Sequence, residues 1–244
     1  MSNVLKAIRE RHSTRCPFDV NRPIARSELK QILEAAQWAP TPHNMQNFEI
    51  LLVDDRDKID AIRNLPVVIS EYFLRENYQQ LSFSEEELEI KKKGVLANIF
   101  PRVWTNPEAW NPECDYRSQK ALLSQSMSET PLLLIVLFDA SKRAPGYVGD
   151  FLGHLGLGCV LENLWLASES LAIGFRVLSI FNTPEAETKI ETLLRIPSQL
   201  KIAFACSLGY PAEPGTAYPR VRRSLENFVH HNQYGHQDVA WSRY

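Results

Sequence analysis

Residues 148–174 read VGDFLGHLGLGCVLENLWLASESLAIG, a long and mostly apolar stretch. Its length and apolar content predict a helix over residues 148–171, with Gly174 as the stop signal after it. Strongly polar side chains interrupt the stretch, among them His154, Glu162, Asn163 and Glu169. These side chains would be costly in lipid, so the segment predicts a helix of a soluble protein rather than a membrane span.

Glycines are concentrated in this same stretch. Six of the ten glycines of the chain fall between Gly146 and Gly174. Gly149, Gly153 and Gly156 recur at three- and four-residue spacing, which would place them on one helix face. Glycine inside a helix costs about 1 kcal/mol relative to alanine. Such a row therefore predicts that another backbone approaches the helix closely.

The sequence on either side predicts a mixed α and β protein in which helices dominate. Further helices are predicted at residues 3–10, 28–39, near 58–63 and 184–194, and strands at 48–53, 131–138, 175–180 and 201–209. The run at 131–138 reads PLLLIVLF and is apolar throughout, which is typical of a strand buried on both faces.

Composition excludes several classes of protein. The chain has 244 residues, of which 44% are apolar and 23% charged, so extensive disorder and fibrous repeats are excluded. The 27 basic and 29 acidic side chains give a net charge of −2, without the basic excess of a nucleic-acid-binding protein. The apolar run at 131–138 is too short to span a membrane. Four cysteines without a C-x-x-C pair, and no signal peptide, predict reduced thiols in a cytoplasmic protein.

Residues 71–117 differ in composition from the rest of the chain. They combine runs of glutamate and lysine with aromatic sequence punctuated by proline. Two interpretations stay open: a charged surface helix followed by an irregular excursion, or a cover over an active site.

Two stretches carry residue types that bind anions. Residues 11–15 read RHSTR, and two guanidiniums, two hydroxyls and an imidazole within five residues suit a phosphate. A second basic cluster contains Arg220, Arg222 and Arg223. Taken singly, either cluster is also explained as the polar end of a helix or as a solvated tail.

A third stretch, residues 39–46, reads APTPHNMQ and lies between a predicted helix and a predicted strand. Turn chemistry alone explains its prolines and asparagine. Thr41, Asn44 and Gln46 could also form hydrogen bonds with the polar rim of a flat heterocycle.

The order of these motifs along the chain is more specific than any one of them. In sequence order they are R-x-S-x-R (Arg11, Ser13, Arg15), A-P-T-x-x-N-x-Q (39–46), D…EN-L-x-L-A (150–167), L-L-x-I-P (193–197), L-G-Y-P (208–211) and R-R-x-L-E (222–226). In this order the chain resembles the nitroreductase family of FMN enzymes over residues 1–65 and 130–230.

The resemblance implies an α+β fold, a three-layer sandwich in which helices wrap a mostly antiparallel sheet. It also implies an intertwined homodimer with two flavin sites at the subunit interface. The whole chain, 1–244, would then be one domain with a cover at about 71–117 and a C-terminal tail from about residue 225.

The resemblance also assigns flavin-binding residues. The phosphate would be bound by Arg11, Ser13, Arg15 and Arg223. His12 and Arg222, beside them in the sequence, are also expected to bind the cofactor. Pro40, Thr41 and Asn44 would come from the partner subunit, with Gln46 near the ribityl chain and ring. The turn Leu178, Ser179 and Ile180 would offer backbone N–H groups to the flavin N5 and O4. The chain departs from the family at Asn47-Phe48, where Pro-Trp is common, and at Ser179-Ile180, where many members have Glu-Gly.

The implied activity takes hydride from NADH or NADPH onto FMN and passes it to a nitroaromatic, quinone or similar electrophile in a ping-pong scheme. The cofactor carries the chemistry, so no catalytic side chain is assigned. No metal is expected, and His230, His231 and His236 are interpreted as a solvated or interface tail. The alternatives are flavin fragmentation of the dimethylbenzimidazole-forming type, reductive dehalogenation on the same scaffold, and flavin binding without turnover.

Overall fold

The computed structural model describes residues 2–65, 127, 129–145, 149–178, 184–213 and 225–236. The chain divides into two units, one formed by Met1–Val68 with Arg117–Thr216 and the other by Ile69–Tyr116 with Ala217–Tyr244. The cover predicted at 71–117 lies outside the described residues, and so do Arg222 and Arg223.

The predicted helices and strands are confirmed, with ends shifted by a few residues. The helices are α1 (Asn3–Glu10), α2 (Arg26–Gln37), α3 (Arg56–Arg63), α4 (Phe151–Ser170) and α5 (Pro184–Leu194). The strands are β1 (Glu49–Val53), β2 (Leu132–Asp139), β3 (Gly174–Val177) and β4 (Leu200–Gly209). The strand predicted at 175–180 is the one that differs most, because β3 ends at Val177.

The strands form one antiparallel sheet in the order β1-β2-β4-β3. β2 lies inside the sheet, with Leu134 opposite Leu52 of β1 and Cys206 of β4. The register shifts once, between Val136 and Leu137. This sheet confirms the predicted antiparallel core.

β2 is buried on both faces, which explains its unbroken apolar run. Alternate residues point to opposite sides of the sheet. Leu132, Leu134 and Val136 pack with α2 and α4, and Leu133, Ile135 and Leu137 pack with α3 and α5. The helices therefore form an outer layer on each face of the sheet, and the predicted three-layer sandwich is confirmed.

α4 is held on the sheet by one apolar stripe. Leu157, Val160 and Leu164 are buried at helical spacing, and each such burial contributes about 1.5–3 kcal/mol. The Asn163 side chain donates a 2.9 Å hydrogen bond to the carbonyl oxygen of Ala35 in α2.

No helix in the described part of the chain is long and apolar enough to cross a membrane.

The glycine row of α4 is only partly as predicted. Gly149 precedes the helix, with a φ of +81°, and so it is not on the helix face. A Cβ at Gly153 would meet the carboxylate of Asp150 at 2.5 Å. A Cβ at Gly156 would lie 3.1 Å from Pro42 Cδ and 3.5 Å from Thr41 Cα. The close backbone approach is therefore confirmed at Gly156, where the approaching segment belongs to the same chain.

The C-terminal end of α4 differs from the prediction. Ala172, not Gly174, takes the left-handed conformation, with a φ of 55°. Its N–H donates to the carbonyl of Glu169 and the next N–H, of Ile173, donates to Ser168, the pair of bonds of a Schellman motif. Gly174 is instead the first residue of β3. This position requires glycine because a Cβ there would lie 2.7 Å from Thr14 Oγ1.

The segment after α1 lies beside β3. The Thr14 N–H donates to the carbonyl of Phe175 and the Phe175 N–H donates to Thr14 Oγ1, both at 2.9 Å. Arg176 donates from Nε to the carbonyl of Thr14 at 2.8 Å and from Nη2 to the carbonyl of Cys16 at 2.6 Å. Residues 11–16, called the 11–16 strip below, are thereby joined to the sheet.

We expect Thr14→Val to lower the free energy of unfolding by about 1–3 kcal/mol, because it leaves the buried N–H of Phe175 without its acceptor. Thr192→Val is the matched control, since its exposed hydroxyl bonds only the carbonyl of Thr188 within α5, and should change the stability by less than about 0.5 kcal/mol. Urea denaturation measures both. Equal losses in the two variants would contradict the role given to Thr14.

Candidate flavin-binding site

Three side chains of α4, spaced along one face, contact the 11–16 strip: Glu162, Trp165 and Glu169. Arg11 Nε lies 3.2 Å from Glu162 Oε1, and the guanidinium carbon of Arg11 lies 4.3 Å from the centroid of the Trp165 ring. The indole N–H donates to the carbonyl of His12 at 3.1 Å. His12 Nδ1 lies 3.5 Å from Glu169 Oε2. One helix face therefore positions the first half of the strip.

The strip presents the basic and hydroxyl groups that the sequence assigned to a phosphate. α1 ends at Glu10. The N–H of the next residue, Arg11, still donates to the carbonyl of Ala7, and the residues that follow leave the helix. The side chain of Arg15 is exposed, and those of Arg11 and Ser13 are partly buried. Thr14 between them points inward and is buried, which leaves its neighbours on the outer side of the strip.

Arg176 is a site residue that sequence analysis missed. Its guanidinium binds the Thr14 and Cys16 carbonyls, and desolvation lowers the pKa of this partly buried group. Its place in the sequence FRVL, a single arginine in an apolar strand, was the signal that could have revealed it. Trp165 was missed as well, because a tryptophan on an apolar helix is ordinarily a core residue.

Residues 40–47, called the 40–47 loop, contain an unusual backbone. His43, Asn44 and Gln46 have φ angles of 51°, 54° and 47°. Left-handed conformations are strained for residues other than glycine, and they cluster at functional sites. The Gln46 N–H donates to Thr41 Oγ1, and Gln46 Nε2 donates to Asn44 Oδ1, both at 3.1 Å. The structure thus brings together Thr41, Asn44 and Gln46, as the sequence predicted.

This loop lines an open cavity. Its wall is formed by Gln37, Trp38, Ala39, Pro40, Thr41, Asn44 and Gln46. Trp38 is 83% exposed, so a large aromatic face lies beside the amide groups of the loop. A flat surface next to hydrogen-bonding groups suits a planar polar ring.

Asn47, which lies at one of the two places where the chain departs from the family pattern, anchors the loop to the end of β2. Its side-chain amide donates to the carbonyls of Asp139 and Lys142, both at 3.0 Å, and its Oδ1 accepts from the N–H of Asp139 at 3.1 Å. Three hydrogen bonds from one side chain hold the strained segment in place.

The 11–16 strip and the 40–47 loop meet α4 at different positions. The loop contacts Gly156, whereas the strip contacts Glu162 and Trp165. At 1.5 Å per residue these positions are about 9–14 Å apart along the helix axis. Among the described residues, no side chain of the strip lines the cavity beside the loop.

Of the remaining predicted site residues, the structure describes only Leu178. The N–H of Leu178 donates to the carbonyl of Ala205 at 2.8 Å and the side chain is buried, so the prediction that this N–H serves the flavin ring is corrected. Ser179 and Ile180, like Arg222 and Arg223, lie outside the described residues.

The described part of the C-terminal tail is a local turn. The rings of His230 and Tyr234 lie 4.4 Å apart, and the His231 N–H donates to the carbonyl of His236 at 2.8 Å. Within the described ranges, no group of three or more His, Cys, Asp or Glu residues could hold a metal ion. The cysteines described there, Cys16, Cys159 and Cys206, are free thiols.

Comparison with known proteins agrees with the geometry. The model of the Nitroreductase family matches residues 8–210 of this chain. A protein named NADPH-dependent oxidoreductase from Staphylococcus aureus strain MRSA252 is 22% identical over 232 residues, which cover 95% of this chain and 74% of that protein. An iodotyrosine deiodinase from Thermotoga neapolitana is 26% identical over 193 residues, 79% of this chain and 81% of that protein.

A solved structure supports the fold. The crystal structure of a nitroreductase with bound FMN from Bacteroides fragilis superposes with a TM-score of 0.56 at 19% identity, covering 92% of this chain and 96% of that one. At this identity the likeness shows the fold.

Proposed function

Because this chain belongs to the nitroreductase family, we propose that it is an FMN-dependent oxidoreductase that takes hydride from NADH or NADPH. The acceptor is an electron-poor aromatic or quinone-like molecule, reduced in a ping-pong scheme. The observation that carries the proposal is the 11–16 strip, in which Arg11 contacts Glu162 of α4, His12 accepts from Trp165, and Thr14 bonds Phe175 of β3. The basic and hydroxyl side chains of this strip are groups that suit a phosphate. The name of the Staphylococcus relative supports a nicotinamide donor, and the FMN of the Bacteroides structure supports the cofactor.

The strip fits the phosphate end of FMN. Arg11 and Arg15 contribute guanidiniums and Ser13 contributes a hydroxyl, and such groups form the strong charge-assisted bonds that phosphates accept. Arg11 already lies against an anionic group, the carboxylate of Glu162 at 3.2 Å. This ion pair holds the guanidinium against α4.

The 40–47 loop fits the other end of the cofactor. Asn44 and Gln46 carry side-chain amides that both donate and accept, and Thr41 adds a hydroxyl, which match the polar edge of an isoalloxazine ring and its ribityl hydroxyls. Asn47 keeps these groups in place through its bonds to Asp139 and Lys142.

When bound, FMN supplies a ring nitrogen that takes up and delivers hydride, so the chain needs no acid or base of its own. The side chains of the strip bind and orient, and the positive charge of Arg11 and Arg15 favours a negatively charged ligand. The amides of the loop fix the plane of the ring, because each must meet its partner in that plane.

We further propose that the site is completed by a second copy of the chain. The strip and the loop meet α4 about 9–14 Å apart. Leu155 of α4 is 52% exposed, and a second copy of the chain would cover this apolar side chain. In the dimer, the strip of one subunit is completed by the partner's Pro40, Thr41 and Asn44.

Reductive dehalogenation is a second candidate. The relative from Thermotoga neapolitana is named an iodotyrosine deiodinase, and its 26% identity exceeds that of the Staphylococcus protein. Release of iodide from an iodinated phenol by the reduced protein, faster than reduction of a nitroaromatic, would favour this candidate.

The first prediction concerns Arg11. Arg11→Ala should weaken FMN binding by about 10- to 150-fold, the loss of one charge-assisted bond. Arg26→Ala, an exposed arginine at the start of α2, is the matched control and should bind FMN as the wild type does. Fluorescence titration measures both affinities. Equal affinity of Arg11→Ala and wild type would remove the phosphate assignment.

The second prediction concerns turnover. Mixed without oxygen with NADH or NADPH, the FMN-loaded protein should lose its visible flavin absorbance, and a nitroaromatic or quinone should restore it. Stopped-flow absorbance follows the two halves separately. A flavin-loaded protein that neither nicotinamide bleaches would contradict the proposed enzyme and leave flavin binding without turnover.

The third prediction concerns assembly. Leu155→Glu places a charge on the exposed apolar face of α4 and should convert a dimer into monomers that lose FMN. Leu193→Glu, on the outer side of α5 and 37% exposed, is the matched control and should stay dimeric. Light scattering measures the mass. A wild-type protein that is a flavin-loaded monomer would refute the dimer.

A further inference from the structure

Trp165 contacts its surroundings through different parts of one side chain. The guanidinium carbon of Arg11 lies 4.3 Å from its ring centroid, and its indole N–H donates to the carbonyl of His12 at 3.1 Å. The ring also stacks on Phe175, with centroids 5.2 Å apart and planes inclined by 21°. An arginine side chain, a backbone carbonyl and a residue of β3 thus meet at one indole.

The hydrogen bond to His12 determines where the next N–H points. The atoms of a trans peptide are coplanar, with the carbonyl and the following N–H on opposite sides. Because the carbonyl of His12 is directed at Trp165, the N–H of Ser13 is directed away from α4. Two residues further along the strip, the side chain of Arg15 is exposed.

The indole is itself held firmly. Phe175, on which it stacks, exchanges two hydrogen bonds with Thr14, and Glu162 lies one helical turn before Trp165 and contacts Arg11 Nε. The strip is therefore held at residues 11, 12 and 14, and Trp165 contacts two of these three residues directly.

We propose that Trp165 is a positioning residue for the phosphate group, one that holds the Arg11 guanidinium and the His12–Ser13 peptide in their binding orientation before the ligand arrives. The inference rests on the proposed function, since the phosphate is that of FMN. Holding donors in place before binding strengthens binding, because less freedom is lost when the complex forms.

The test compares FMN with riboflavin, which has the same ring and ribityl chain but no phosphate. Trp165→Leu removes both the ring face and the N–H donor, and it should weaken FMN binding at least about 10-fold while riboflavin affinity stays within about 2-fold of wild type. Trp165→Phe keeps an aromatic face for Arg11 but lacks the N–H, and its loss should be intermediate. Flavin fluorescence reports the titrations of flavin-stripped protein, and circular dichroism checks that each variant is folded.

The outcomes separate this inference from the proposed function. If wild type binds FMN and riboflavin equally well, the phosphate site is wrong and the role of Trp165 is refuted with it. If wild type prefers FMN and both variants keep the same preference, only the role of Trp165 is refuted. A parallel loss of both ligands would show that Trp165 serves the fold alone, which also overturns the inference. If Trp165→Leu does not fold, the preference of Trp165→Phe decides.

Discussion

The pair of hydrogen bonds between Thr14 and Phe175 is the constraint on which the proposed site depends. It joins a segment at the start of the chain to β3, where a side chain larger than hydrogen at Gly174 would meet Thr14. Thr14 is buried by these bonds, and its neighbours Ser13 and Arg15 stay partly or fully exposed. Arg176 secures the same segment by binding the carbonyls on either side of Arg15.

α4 extends this constraint to the other half of the site. Its buried stripe fixes the helix on the sheet, and its other faces then present Trp165 and Glu162 to the 11–16 strip and Gly156 to the 40–47 loop. The 11–16 strip and the 40–47 loop are thus both positioned by α4, at points about 9–14 Å apart along the helix axis. This separation is the reason that the proposed enzyme is completed by a second copy of the chain.

The sequence predicted the elements because their signals are local. The apolar run that predicts β2, for example, is read from eight consecutive residues. The sequence also singled out Thr41, Asn44 and Gln46 as groups that could bind a flat heterocycle, because these residues are close in the sequence. The positioning residues could not be found in this way, because Trp165 acts on His12 across 153 residues and Arg176 acts on Thr14 across 162. The stop at Gly174 failed for a similar reason, since that glycine is required by packing against Thr14 and not by the end of the helix.

A crystal structure of the protein with FMN tests the central claim most directly. We expect the phosphate within hydrogen-bonding distance of Arg11, Ser13 and Arg15, with Trp165 still beneath Arg11, and the ring beside Thr41 and Asn44 of the partner subunit. A phosphate bound away from the 11–16 strip, or a ring seated on the loop of the same chain, would contradict the account.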